Sequence, residues 1–394
     1  MKKPQHNRAA PKAAAQPRAT KQSSAGSRPT SKPGPKAPPG RKTQPGRKTQ
    51  PGPNAKPRPT ADHRASRTPL RDDTPEQGAS TVCGSVALVG RPNVGKSSIL
   101  NAILGQKIAA TTHKPQTTRR ALRGIDTRGN AQIIFVDTPG LHEEKGGLFS
   151  FMLDEALDAV EGVDVIAFVI EAHAGRGSGI HAADEEALAR VESRLQRRGQ
   201  GSDKKVILVI NKIDVLEDKS RLLPILQAWS AKDRFVALVP ISAHKKDGVR
   251  GLLDEIVRHL PEAPFVFPQE SLTDESERSI AAELIREKVM LELHEELPYR
   301  AAVVVEEFDE SRRSDNRKPL VHVAGVIHVE KDSQKAMVIG KGGARIKAIG
   351  QRARKDLEAL LGCQVMLELL VRVEPDWTRT SAGLKKLGYV HEGR

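Results

Sequence analysis

Five short, nearly unbroken apolar runs restrict most strongly how this chain can fold. They are SVALVG (85–90), AQIIFVD (131–137), DVIAFVI (164–170), KVILVIN (205–211) and FVALVPIS (235–242). Each is too short to span a membrane and long enough for a strand. Segments of helical pattern separate most of them. A strand that is apolar on both faces has to be covered on both faces. The runs therefore predict an α/β domain over 81–262, a mostly parallel sheet between two helix layers.

LPEAPFVFP (260–268) breaks the pattern with three prolines, and 263–272 reads as a linker. A different pattern follows over 273–394. In SIAAELIREKVMLELHEELP the residues Ala281, Ile285, Val289, Leu293 and Leu297 recur four apart and predict one apolar helix stripe. Strand-like runs at 300–306 and 320–329, a short helix, a glycine turn, a helix to 361 and a strand at 364–373 come next. That order, α-β-β-α-α-β, predicts a small α+β domain.

Charge is distributed unevenly. The formal net charge is +15, yet residues 1–80 hold 18 Lys/Arg against 4 Asp/Glu, which leaves the remainder nearly neutral. The same 80 residues contain 15 of the 26 prolines, no aromatic residue, and a tandem PGRKTQ at 39–44 and 45–50. Such a segment cannot bury enough apolar surface to offset its ordering entropy, so disorder is expected. A solubilising tail and a tether to nucleic acid or an anionic surface both fit it. Two distant cysteines, Cys83 and Cys363, give no disulfide framework or zinc spacing and suit a reducing compartment.

GRPNVGKS (90–97) ends the first apolar run and precedes a helical pattern. In that context G-x-x-x-x-G-K-[ST] is a phosphate loop. The backbone of Gly90, Arg91, Pro92, Asn93, Val94 and Gly95 would face phosphates, Lys96 would reach the β/γ oxygens, and Ser97 would ligate Mg²⁺. In DTPG (137–140), Asp137 would hold Mg²⁺, and Thr138 and Pro139 lead to Gly140, whose N–H would lie near the γ-phosphate. QTTRR (116–120) lies where a first switch belongs, with Thr117 or Thr118 as a further Mg²⁺ ligand. NKID (211–214) selects the base. Asp214 can accept from two guanine donors that adenine lacks, and Asn211 and Lys212 complete the motif. Ser242 and Ala243 end the next run, where the Ala243 N–H suits guanine O6.

VIGKGGARIKAIG (338–350) is a second glycine loop, but it lacks the G-K-[ST] ending and sits between helices. Gly340, Lys341, Gly342 and Gly343 form G-x-x-G, with Arg345 and Lys347 adding charge. This is the loop with which KH domains clamp single-stranded RNA. A plain helix connection would need neither the cations nor the flanking strands. An RRM would need aromatic residues on its strands, and LVHVAGVIHV (320–329) has none.

The motifs in order resemble the translation-factor-related GTPases. With IREK, ELPY, LELLVRV and the closing LGYV, they resemble the Era family of bacterial ribosome-assembly GTPases over residues 84–391. The resemblance implies a P-loop GTPase domain followed by a type II KH domain, with GTP or GDP and Mg²⁺ bound. Hydrolysis of GTP would involve Lys96, Ser97, Thr117, Thr118, Asp137 and Gly140. It further implies a monomer that binds near the 3′ end of small-subunit ribosomal RNA during subunit maturation, and no DNA partner. It places the protein in the cytoplasm, with peripheral association at the cell membrane. Leu141 stands where Ras-type enzymes carry a water-orienting glutamine. In relatives with that change a P-loop asparagine helps bind K⁺, and Asn93 occupies its place. His142 reads as a solvated switch residue. The alternative is a non-enzymatic RNA chaperone regulated by nucleotide. The basic extension departs from the family pattern.

Overall fold

The protein's computed structural model describes residues 80–142, 146–172, 180–199, 203–315 and 317–389. The disorder expected of 1–80 concerns residues that lie, Ser80 apart, outside this set. The first half contains β1 (Val82–Val89), α1 (Lys96–Leu104), β2 (Leu122–Arg128), β3 (Ala131–Asp137), α2 (Gly147–Glu161), β4 (Val165–Glu171) and α3 (Ala182–Arg197). It closes with β5 (Lys205–Asn211), α4 (Leu222–Ser230), β6 (Ala237–Pro240) and α5 (Val249–Val257).

These six strands form one sheet in the order β2-β3-β1-β4-β5-β6. Every pair is parallel except β2 with β3. The five apolar runs are all strands, to within a few residues. β2 has no counterpart in the sequence reading. Its LRGIDTR mixes charged and apolar residues because it is an edge strand, so it forms no apolar run. In β4 the period of two is clear. Val165, Ala167 and Val169 join a core with α1 and α5, while Ile166, Phe168 and Ile170 join one with α2, α3 and α4. Because the strands are parallel, the loops after β1, β3, β5 and β6 leave the same edge of the sheet. Ligand sites of open α/β sheets lie there.

The segment read as a linker is tied down. Buried Gln132 accepts from the Val266 and Phe267 N–H groups at 2.9 and 3.0 Å, and Ile125 donates to the Leu272 carbonyl at 2.8 Å.

The second half contains α6 (Glu277–Glu292), β7 (Ala302–Asp309), β8 (Leu320–Val329), α7 (Asp332–Ile339), α8 (Ala344–Leu361), β9 (Gln364–Val373) and α9 (Ser381–Lys386). β7 and β8 are antiparallel, and β8 and β9 parallel. The α-β-β-α-α-β order is present. The expected stripe is buried throughout, but α6 stops at Glu292. Leu293 has extended backbone, and Leu297 opens a single 3₁₀ turn, Leu297–Arg300, whose Pro298 disfavours continuing the helix before it.

The two halves share one buried apolar cluster, running from Ile99 and Leu252 to Ile285, Val289, Ile349 and Leu357. A second joint carries charge. Buried Glu287 accepts from Lys107 and Lys288 at 2.6 and 2.7 Å, and both lysines also reach Asp356 on α8. A third joint is aromatic. Leu148, Phe151 and Met152 of α2 pack with Trp377, Leu384, Leu387 and Tyr389.

Candidate functional site

The loop Gly90–Gly95 wraps over the start of α1, whose N-cap Gly95 has φ 100°. A Cβ there would lie 2.3 Å from the Asn211 amide nitrogen, so residue 95 has to be glycine both for its backbone and for its neighbour. Asn211 is buried and acts as a strut. It donates to the Val94 carbonyl at 2.8 Å and accepts from the Ala243 N–H at 3.1 Å. The N–H expected to meet guanine O6 is thus engaged with Asn211. Lys96 is buried, with its ammonium 3.1 Å from the carbonyls of Gly90 and Arg91. Burial lowers its pKa to about 8, against the pull of Asp137. Arg91 points away from the loop, to Asp184 on α3 at 2.6 Å.

Three oxygen groups meet beside Lys96. Ser97 Oγ lies 2.6 Å from Asp137 Oδ2 and 2.9 Å from Thr118 Oγ1, and Thr118 Oγ1 lies 3.2 Å from Asp137 Oδ2. Asp137 Oδ1 is buried without a hydrogen-bond partner. Burial pushes Asp137 up to about 6, although Ser97, Lys96 and Thr118 pull it down. A carboxylate and two hydroxyls around an unsatisfied oxygen fit a Mg²⁺ ion. Of the two candidate threonines, Thr118 stands in this cluster. Thr117 instead pairs with Thr112 at 2.7 Å and donates to the Lys114 carbonyl at 2.9 Å.

After β3, the Thr138 hydroxyl donates to the Leu88 carbonyl at 2.7 Å, and Pro139 leads to Gly140, which lies against the Pro92 backbone. Leu141 is buried in the core, its N–H donating to the Gly90 carbonyl at 3.0 Å. Its side chain therefore cannot hold a water over the phosphate loop. His142 is half-buried, against the expectation of a solvated residue. Its ring meets Phe149 edge-on at 5.8 Å, and Nδ1 lies 3.0 Å from the Gly140 carbonyl. Asn93 is exposed, has φ 66°, and donates to the His113 carbonyl at 3.0 Å.

At the far end of the cleft, the Ser242 hydroxyl donates to Asp214 Oδ1 at 2.5 Å and orients an otherwise exposed carboxylate. Lys212, with φ 64°, lines the phosphate cleft and pairs with Glu171 at 3.0 Å.

The sequence reading missed how the switch segment is held. Arg286 on α6 donates to the Thr117 carbonyl, and Glu287 accepts from the Thr111 N–H at 2.9 Å. Lys114 donates to the carbonyls of Met290 and Leu293. Arg119 is wholly buried and donates to the Ala301 and Tyr299 carbonyls at 2.8 Å each. The available signal was IREK: three consecutive charged residues interrupting a helix that is otherwise apolar on its buried face.

In the second loop, α7 ends at Gly340, and Lys341–Gly343 form one 3₁₀ turn before α8. Gly342 and Gly343 have φ 59° and 77°. Lys341, Gly342 and Lys347 are exposed, whereas the Arg345 guanidinium is turned back onto the Met337 carbonyl at the end of α7. Val338 and Ile349 anchor the flanks in the core. Among the described residues no cluster of three or more His, Cys, Asp or Glu suits a metal.

Residues 85–212 match the 50S ribosome-binding GTPase family, and residues 296–378 match the KH domain. GTPase Era of Syntrophus aciditrophicus is 44% identical over 306 residues, 78% of this chain and 94% of that protein. The chain belongs to the Era family of GTPases. Another Era, from Stenotrophomonas maltophilia, is 44% identical over 308 residues, 78% of this chain and 97% of its own length. A crystal structure of Era with MgGDPNP and nucleotides 1506–1542 of 16S ribosomal RNA matches with TM-score 0.71 and 38% identity, covering 79% of this chain and 100% of that one. Aquifex aeolicus Era bound to GDP·AlF4⁻ matches equally well. This Era-family chain is a GTPase with a KH domain, built on a mostly parallel sheet followed by a small α+β unit.

The buried Asp137 yields a signed prediction. Burial raises its folded pKa to about 6 from the usual 3.8, so the wild type loses stability as pH rises through this window. Asp137→Asn should therefore stabilise the nucleotide-free protein by about 1–3 kcal/mol near pH 7.5, a gain that vanishes below about pH 4. Urea denaturation across pH measures this. A variant less stable than wild type at every pH would show that burial of the charge is not what raises the pKa.

Proposed function

We propose that the chain uses GTP to govern its hold on single-stranded RNA, the 3′ end of small-subunit ribosomal RNA, during maturation of that subunit. The observation that carries this is the direct clasp of a KH-type unit on the segment 107–119, which supplies Thr118 to the nucleotide site. The Era structure that holds both MgGDPNP and 16S nucleotides supports it.

In this reading the N–H groups of Gly90–Gly95 and the start of α1 cradle the phosphates, and Lys96 offsets charge on the outer oxygens. Ser97, Thr118 and Asp137 would hold Mg²⁺, which would offset the phosphate charge. Gly140 offers its N–H to the γ-phosphate. With Leu141 in the core, the attacking water is oriented by backbone, another side chain or a bound ion. Asn93, fixed by its amide on the His113 carbonyl, leaves its side-chain oxygen for K⁺. Asp214 reads guanine, Lys212 covers the base, and Asn211, Ser242 and Ala243 set their positions. At the other loop, Lys341 and Lys347 meet the RNA phosphates, the backbone of Gly340–Gly343 approaches them closely, and Arg345 braces the turn.

The basic extension serves as a sequence-independent RNA tether, and 81–262, 263–272 and 273–394 serve as GTPase unit, connector and RNA unit. The protein works as a monomer in the cytoplasm. It associates peripherally with the cell membrane; among the described residues no helix is long and apolar enough to cross one.

Two variants test the halves separately. Asp214→Asn should lower GTP affinity by about 10²-fold or more and create xanthosine triphosphate binding, because an amide places a donor against a donor. Unchanged GTP affinity in a direct titration would refute the base assignment. Replacing Lys341 and Gly342 by Asp should abolish binding of single-stranded RNA, spare nucleotide binding and lower stability by only about 1–2 kcal/mol, since the loop lies at the surface and the left-handed backbone of Gly342, φ 59°, is one that Asp can adopt. RNA affinity equal to wild type in the folded variant would move the RNA site elsewhere.

A further inference from the structure

Arg119 follows Thr118 directly, and the two side chains go opposite ways. Thr118 joins Ser97 and Asp137. Arg119 runs into the C-terminal half, where its guanidinium is wholly buried. All its hydrogen-bond partners are neutral. The Ala301 and Tyr299 carbonyls lie at 2.8 Å, the Pro298 carbonyl and the Tyr389 hydroxyl at 3.3 Å. Three of these acceptors belong to the C-terminal end of the 3₁₀ turn Leu297–Arg300 or the residue after it, where carbonyls lack helical partners and attract a cation. The guanidinium also lies 5.7 and 5.8 Å from the ring centres of Trp377 and Tyr389. The two terminal nitrogens of the planar fork make all four of these contacts, Nε is buried without a hydrogen-bond partner, and a lysine ammonium, with three donors, cannot fill the cage.

We propose that Arg119 is a positioning residue of the GTPase site. Caged by a 3₁₀ end and two C-terminal aromatics, it fixes the backbone that sets Thr118 on the metal. The C-terminal residues Trp377 and Tyr389 are then part of the machinery that holds Mg²⁺ in the triphosphate state, although they lie more than 200 residues from Thr118. This rests on the reading of Ser97, Thr118 and Asp137 as the Mg²⁺ holders. The effect is confined to the triphosphate state, because in GTPases the γ-phosphate and its Mg²⁺ order the switch segments, which are released on hydrolysis.

The test is the Mg²⁺ dependence of nucleotide retention by the full chain, measured as dissociation of fluorescent GDPNP and of fluorescent GDP. Arg119→Lys should need about tenfold more Mg²⁺ to retain GDPNP, the range seen when groups that orient metal ligands are lost. Its Mg²⁺ requirement for GDP should not move, and Thr118→Ala with Arg119→Lys should behave as Thr118→Ala alone. Tyr389→Leu, which removes one wall of the cage and leaves Arg119, should shift GDPNP in the same direction by a smaller factor, and this stands as the test if Arg119→Lys does not fold. Equal shifts for GDP and GDPNP, shifts that add to those of Thr118→Ala, or no shift in either variant would overturn the proposal. Thr118→Ala without effect would overturn the Mg²⁺ reading itself, and the role of Arg119 with it.

Discussion

A guanidinium buried among neutral acceptors joins the two halves of this molecule next to the nucleotide site. Desolvation alone would make Arg119 costly, and burial does lower its pKa. The cost is offset because the backbone around 298–301 turns several carbonyls toward it and two aromatic rings flank it. Neither half can supply this arrangement alone. The cation comes from the loop before β2, the carbonyls from the turn after α6, and the rings from the chain after β9. Removing any one leaves polar atoms buried without partners.

Around this contact the segment from 107 to 119 is held at intervals along its length. Lys107 and the Thr111 N–H meet Glu287, Lys114 caps the end of α6, and the Thr117 carbonyl meets Arg286. The same Glu287 shares two lysines with Asp356, and Asp356 sits on α8, the helix that begins at the Lys341–Gly343 turn. In the proposed reading, a rearrangement of the switch segment bears on the helix that carries the RNA loop through this short run of charged contacts. Within this cluster Glu287 and Lys288 are buried, while Lys107 and Asp356 are partly exposed.

The apolar strands and the G-motifs were legible because each is local. A buried parallel strand needs unbroken apolar residues, and a phosphate loop needs its glycines and lysine at fixed spacing. The Lys341–Gly343 turn was legible for the same reason. Edge strand β2 was not, since half-exposed residues leave no run to detect. Nor was the end of α6, where the four-residue spacing continues through Leu293 and Leu297 although the helix has stopped. The choice between Thr117 and Thr118 needed the fold, because adjacent threonines are equivalent on paper and diverge only when Arg286 and Arg119 orient the backbone between them. Arg119 was hidden for a related reason. Its partners lie about 180 and 270 residues away in the chain, and no spacing rule connects them.

If the clasped switch segment carries the coupling, nucleotide site and RNA loop share one free-energy balance. The most direct measurement is the affinity of one single-stranded RNA for the protein loaded with GDP and with a GTP analogue, alongside the affinity of each nucleotide with and without that RNA. The two RNA affinities should differ, and RNA should change the ratio of nucleotide affinities by the same factor. Equal RNA affinity in both nucleotide states, with nucleotide affinities indifferent to RNA, would contradict it.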